Sequence, residues 1–187
     1  ELDGGGVLMN QSIHFIDLLQ WFMGPVKSVC AYSDTLAHRM ETEDVAVAVL
    51  RFANGALGTI AATTSAYPGV MTRVEIFGDQ GSAIIENDAL TYLHLARDDK
   101  EVAGDYGIQS EPHRLETDTA EKGQQGAAAQ QANALSVTSH ALQIADMIRA
   151  IREDGTPLVD GYAGRKPVEI ILAIYESARK HQEVFLS

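Results

Sequence analysis

Between Val26 and Leu95 the chain reads as a succession of short strands separated by tight turns, a pattern that confines it to a sheet of neighbouring antiparallel strands. Val26 to Tyr32 is rich in β-branched and aromatic residues. Asp44 to Phe52 alternates small and branched apolar residues up to Ala53-Asn54-Gly55-Ala56, and Asn-Gly is the strongest short hairpin signal. The partner strand runs from Ala56 to Thr64. After the turn Tyr67-Pro68-Gly69 come Thr72 to Phe77, a turn through Gly78-Asp79-Gln80-Gly81, then Ser82 to Glu86 and Leu90 to Leu95. Read consecutively, these strands make one meander with a face that must be covered.

Helices flank the strands. The first runs from about Asn10 to Met23 and stops at Gly24-Pro25; Ile13, Ile16, Leu19 and Phe22, with Leu18 beside them, form its apolar stripe. A second, Ser136 to Glu153, sets Leu142, Ala145, Ile148 and Ile151 or Arg152 on successive turns. A third, Gly164 to His181, has Pro167 in its first turn and Val168, Ile171, Leu172, Tyr175 and Ala178 at core spacing. One helix before the strands and two after predict an α+β domain: an open, mostly antiparallel β-sheet with helices on one face. The other sheet face is then solvated or paired. From Ala96 to Leu135 the composition turns charged, glycine-rich and glutamine-rich, which predicts a long loop; disorder and a lid over a ligand both stand as readings of it.

The 187 residues, 45% of them apolar, are enough for one domain with a sizeable core. With 26 acidic residues against 14 scattered basic ones, the formal charge of −12 speaks against a nucleic-acid surface and against an anionic membrane surface. The lone Cys30 has no partner for an internal disulfide and lies in a predicted strand, which fits a cytoplasmic location. No apolar run reaches the length of a membrane span.

The chemistry concentrates at the start of the chain. In Asp3-Gly4-Gly5-Gly6-Val7-Leu8-Met9-Asn10-Gln11-Ser12-Ile13-His14-Phe15-Ile16-Asp17, a glycine turn leads into a helix on which Asn10, His14, Asp17 and Trp21 fall at steps of four, three and four, and so share a face opposite the apolar stripe. The glycines lack the Gly-x-Gly-x-x-Gly spacing and follow no strand, so they read as a backbone turn and not as a dinucleotide fingerprint. Asn10 reads equally as a helix N-cap and as an amide that orients a ligand, while Asp17 reads as a surface carboxylate or as support for His14. His38, His94, His113 and His181 fall in loop-like or strand-end settings without partners. His14 and Asp17 have ligand-compatible spacing, but no third or fourth metal ligand follows at a recognisable interval. Ser177 lacks a nucleophile elbow and reads as packing.

The same segment, together with Tyr67-Pro68-Gly69, Val74-Glu75-Ile76-Phe77-Gly78-Asp79-Gln80-Gly81-Ser82-Ala83, His140-Ala141-Leu142-Gln143-Ile144-Ala145-Asp146, Asp160-Gly161 through Arg165-Lys166, and Ile174-Tyr175-Glu176-Ser177-Ala178-Arg179, resembles the second domain of the glucose–fructose oxidoreductase, inositol dehydrogenase and MocA family (Gfo/Idh/MocA). The resemblance implies that residues 1–187 are a C-terminal substrate-binding and oligomerisation domain. It implies a cofactor, NAD or NADP, bound mainly by an N-terminal dinucleotide-binding domain that this chain lacks, as it lacks the family's Glu-Lys-Pro; about 100–150 further residues upstream would hold them. The resemblance makes His14 the catalytic histidine at the reacting hydroxyl of a sugar, cyclitol or nucleotide-sugar, with Asn10 and Asp17 at the substrate. His140 matches a family histidine and faces the site on one reading, caps or packs on the other. A homodimer or homotetramer through the sheet face is implied, with activity absent from the isolated chain. The alternative is a non-catalytic sugar-ligand sensor on the same fold.

Overall fold

The alternating run at 45–52 is a strand in the computed structural model, which describes residues 5–69, 71–87, 89–95 and 137–186; the predicted loop between Ala96 and Leu135 lies outside them. The chain divides into two units, residues 1–69 with 132–187 and residues 70–131. In the first unit a π-helical turn, Leu8–Ser12, leads directly into α1 (Ile13–Met23). Strands β1 (Val26–Asp34), β2 (Val45–Phe52) and β3 (Leu57–Thr63) follow. Helices α2 (Val137–Arg152) and α3 (Gly161–Lys180) come later in the chain. The second unit holds β4 (Arg73–Gly78), β5 (Gly81–Glu86) and β6 (Ala89–Leu95). A two-residue strand, β7 (Val184–Phe185), returns to the first unit.

The α+β class is as expected, but the single meander is not. The strands form two antiparallel sheets, β3-β2-β1-β7 and β4-β5-β6. β3 and β4 belong to different sheets, and period-two patterning carries no sign of which consecutive strands pair. β7 was not predicted, because two residues are too few to show alternation; it is held by pairing of Ser28 with Phe185 and Val29 with Val184.

The core lies between the four-stranded sheet and helices α1 and α3. Along β2, Ala46, Ala48, Leu50 and Phe52 face inward and are about 1% exposed, while Val47 and Val49 face out at about half exposure. The small Ala31, Ala46 and Ala48 let α3 approach closely, with Ile170, Ile171 and Ile174 buried against them. Leu8, Ile16, Val29, Leu50 and Phe52 complete this cluster; each large side chain removed from water contributes about 1.5–3 kcal/mol. In β1 a register shift between Val26 and Ser28 changes the phase of burial, so Ser28 and Val29 are both inside, and the Ser28 hydroxyl is satisfied by Glu183 at 2.5 Å. Ser177, buried on α3, accepts from the Ala31 amide and donates to the Gln182 carbonyl, a packing role as its sequence context predicts.

The Asn54-Gly55 hairpin forms as expected. Gly55 takes φ +93°, Phe52 N–H donates to the Ala56 carbonyl, and the Asn54 side chain bridges the Ala56 amide to the Met23 carbonyl. Gly24 ends α1 at φ +83°. Helix α3 begins a turn earlier than predicted because Asp160 caps it, accepting from the Ala163 amide at 2.8 Å, so Pro167 lies inside the helix and not in its first turn. Phe22 is not part of the buried stripe; it is 42% exposed and stacks edge-on with Trp21 at 4.9 Å. Nor is α2 covered as its amphipathic pattern predicts: Leu142, Ile144, Met147, Ile148 and Ile151 are exposed, and among its described side chains, 140–152, only Ala150 is buried. No helix among the described residues is long and apolar enough to cross a membrane.

Candidate functional site

The helix start that carries Asn10 has no local cap, since Val7 occupies the N-cap position and provides no side-chain acceptor. Glu43, on the connection between β1 and β2, supplies one from outside. Its carboxylate Oε1 accepts the Leu8 amide at 3.0 Å and its backbone carbonyl accepts the Val7 amide at 3.0 Å. Tyr175 of α3 donates its hydroxyl to the same Oε1 at 2.9 Å. Burial first, then the carboxylate on its hydroxyl, push the Tyr175 phenol well above its ordinary range, so it remains a donor. Gly6 is needed here for close approach and not for a left-handed backbone: a Cβ on it would overlap the Glu43 carbonyl oxygen and carboxylate.

Asn10 therefore is not the N-cap. It sits three residues into the helix, its amide donating to the Gly6 carbonyl at 3.1 Å and its Nδ2 to the Gly5 carbonyl at 2.9 Å. That bond orients the side chain and uses one of its two N–H donors, with no other side-chain hydrogen bond of Asn10 among the described residues. The π-helical turn spans this position, a distortion that proteins concentrate at functional sites. Asn10, His14 and Trp21 are exposed and Asp17 half-buried, while Ile16 is buried and Ile13 and Leu19 pack on the core, the division of faces that the spacing predicts. His140 is exposed on α2. Among the described residues no hydrogen bond or ion pair joins His14 to Asn10, Asp17 or His140. The structure thus groups three of the four predicted residues on one helix and leaves His140 on another.

Sequence reasoning missed Glu43 and took Tyr175 for core spacing alone. Their partners lie 35 and 132 residues away, and no local pattern carries such a contact. It also left His38 without a partner. In fact the His38 Nδ1 lies 3.0 Å from the carboxylate of Asp44, a wholly buried residue that also accepts the amides of Leu36, Ala37 and His38 at 2.8 Å each. Those backbone bonds, the Leu36 amide foremost, hold the Asp44 carboxyl well below the usual carboxylate range and organise the loop leading back to Glu43. A group so depressed contributes stability above the unfolded-state pKa of an aspartate and loses it as pH falls toward the folded-state value. Urea midpoints of the wild type are therefore expected to fall between about pH 4 and pH 2, and Asp44→Asn to be less stable at pH 7 with a weaker fall over that window. Parallel pH profiles of the two proteins would show the depressed carboxyl to be unimportant.

An open cleft beside Glu43 is lined by Gly5, Ser33, Asp34, Thr35, Glu41, Thr42 and Tyr175. No group of three or more His, Cys, Asp or Glu side chains placed to hold a metal ion occurs among the described residues.

In the first unit a two-faced helix packs with the open antiparallel sheet and presents an asparagine and a histidine to solvent. Residues 1–84 match the family model of the GFO/IDH/MocA C-terminal domain. The uncharacterized oxidoreductase YrbE of Bacillus subtilis is 33% identical over 114 residues, 58% of this chain and 32% of its own length. The myo-inositol 2-dehydrogenase of Thermotoga maritima is 35% identical over 88 residues, 44% of this chain and 26% of its own. The crystal structure of the WlbA dehydrogenase from Bordetella pertussis, in complex with NADH and UDP-GlcNAcA, is similar with a TM-score of 0.71 and 32% identity, covering 98% of this chain and 48% of that one. Residues 1–84 thus resemble the C-terminal domain of the Gfo/Idh/MocA family, and the α+β fold of the chain is similar to that of the WlbA dehydrogenase over 98% of its residues. It spans about half the length of the solved relative and about a third or less of the curated ones.

Proposed function

We propose that this chain is the substrate-binding and oligomerisation half of an NAD(P)-dependent oxidoreductase acting on a secondary alcohol of a sugar, cyclitol or nucleotide-sugar. The observation that carries the reading is the solvent side of α1, where an exposed His14 follows an Asn10 whose amide is already oriented by the Gly5 carbonyl. Imidazole is the side chain that exchanges protons near neutrality, so His14 takes or returns the proton of the reacting hydroxyl. Asn10, with one acceptor and one donor free, orients neighbouring hydroxyls but cannot act as a carboxylate base. Asp17 and His140 are assigned to the surroundings of the substrate. A cytoplasmic location fits the single Cys30.

The hydride chemistry belongs to the nicotinamide cofactor, and the described residues do not fit its pyrophosphate. The one helix N-terminus that follows the glycine run is filled by Glu43, whose carboxylate already takes the Leu8 amide and would repel an anion. Cofactor binding is therefore assigned to a dinucleotide-binding domain outside this chain. Calorimetric titration of the 187-residue chain with NADH and with NADPH is expected to show no micromolar binding. Micromolar binding of either would refute this division of labour. The function itself is tested by assaying the full-length protein with NAD or NADP and a panel of UDP-GlcNAcA, myo-inositol and simple sugars; reduction of neither cofactor with any of them counts against it.

The open face of the four-stranded sheet exposes Tyr32, Val47, Val49 and Leu57, with Ala61 and Thr59 on the edge strand opposite Val47 and Val49 and Arg51 opposite Leu57. An apolar surface of this kind on a sheet marks an interaction site. A homodimer or homotetramer through this face is expected, burying at least about 1,000 Å² per interface. Sedimentation equilibrium at micromolar concentration should show it, and Val49→Lys should shift it toward monomer; a monomeric parent chain contradicts the assignment.

A further inference from the structure

We infer that Glu43, held in place by Tyr175, is the positioning residue of the Asn10 and His14 site; the inference rests on the reading of that site given above. A helix start leaves its first amides without partners, and here no side chain within the helix meets them. Glu43 accepts two of them in succession, Val7 through its backbone and Leu8 through its carboxylate, and its negative charge lies at the positive end of the helix. The carboxylate in turn has its direction fixed by the Tyr175 hydroxyl from α3. Gly6 packs against Glu43 with no room for a single added carbon, so the glycine segment cannot slide without displacing it.

That segment is what aims Asn10. Both the main-chain and side-chain amides of Asn10 donate into it, to Gly6 and Gly5 respectively, so any movement of Gly5-Gly6 is transmitted to the Asn10 side chain and onward along the π-turn to His14. The path from the β1–β2 connection to the site residue thus runs through hydrogen bonds joined by one stretch of backbone: Tyr175 donates to Glu43, the Val7 and Leu8 amides donate to Glu43, the chain continues covalently to Gly5 and Gly6, and Asn10 donates to both of these. Glu43 and Tyr175 therefore act on the site through Asn10.

The test uses nitrogen-15 NMR and amide hydrogen exchange on the 187-residue chain. The Leu8 amide reads the cap, the Asn10 side-chain amide and His14 ring resonances read the site, and the Leu50 amide in β2 reads the fold. Glu43→Ala is expected to speed Leu8 exchange at least about tenfold and to shift the Asn10 and His14 resonances while Leu50 stays protected. Glu43→Gln, which keeps an acceptor of the same reach, restores most of both. Tyr175→Phe removes only the hydroxyl and should give smaller changes in the same direction; it decides the matter alone if Glu43→Ala loses Leu50 protection. Unchanged Leu8 exchange in Tyr175→Phe overturns the inference. So does faster Leu8 exchange with Asn10 and His14 resonances at their parent positions, which would make Glu43 a stabilising cap and nothing more. Neither result depends on turnover, so failure of the catalytic reading of His14 shows separately, in the kinetics of His14→Ala.

Discussion

In the full-length protein, His14→Ala is expected to lower kcat by about 10²–10⁴, the usual contribution of a positioned general acid or base. The expectation follows from where the side chain stands. His14 is exposed on the face of α1 opposite Ile16, and the core loses no contact when it is truncated, so the variant should fold and bind as the parent does. A loss of kcat without loss of stability is then a chemical effect. Asn10→Ala should act more on KM, because its amide holds hydroxyls in place and moves no proton. Steady-state kinetics against the best substrate of the panel, with thermal melts of each variant alongside, separate these outcomes. Activity of His14→Ala within threefold of the parent removes His14 from proton transfer and favours a binding or sensing role for the domain.

How far the sequence revealed this arrangement depends on the range of the interactions involved. The two faces of α1, the Gly24 stop, the Asn54-Gly55 hairpin and the inward and outward positions of β2 were legible, because each is written in residues within a few positions of one another. The grouping of Asn10, His14 and Asp17 on one helix was legible for the same reason. The split into two sheets was not, since alternation fixes faces but not partners. The sequence places the start of the helix near Asn10, for which capping is one of two equal readings, whereas the cap comes from Glu43 in another connection and the helix starts earlier, at Leu8. The glycine run looked like a conformational turn; its actual requirement is space, and only the folded chain shows what fills that space. Asp160 could have been found, as an N-cap residue before a long periodic run, and it was passed over in favour of the proline signal at Pro167.

The requirement for space at Gly6 predicts a large stability effect from a single added methyl group. Gly6→Ala should destabilise by at least about 3 kcal/mol, combining overpacking with the loss of a buried charge-assisted hydrogen bond. The added carbon meets the Glu43 backbone oxygen as well as its carboxylate, and a backbone atom in a strand connection cannot swing aside as a long side-chain tip can. If Glu43 retreats, the Leu8 and Val7 amides lose their acceptors while Leu8 stays fully buried. If it does not, the glycine segment moves and carries Asn10 with it. Gly24→Ala provides the control. That glycine adopts φ +83° and ψ −169°, a region essentially reserved for glycine, with nothing within 4 Å of an added carbon, so its cost is the backbone alone, about 1–3 kcal/mol. Urea denaturation of the two variants should therefore rank Gly6→Ala below Gly24→Ala. The reverse order would mean that Glu43 yields at little cost, and with it the claim that this carboxylate fixes the start of the site helix would fall.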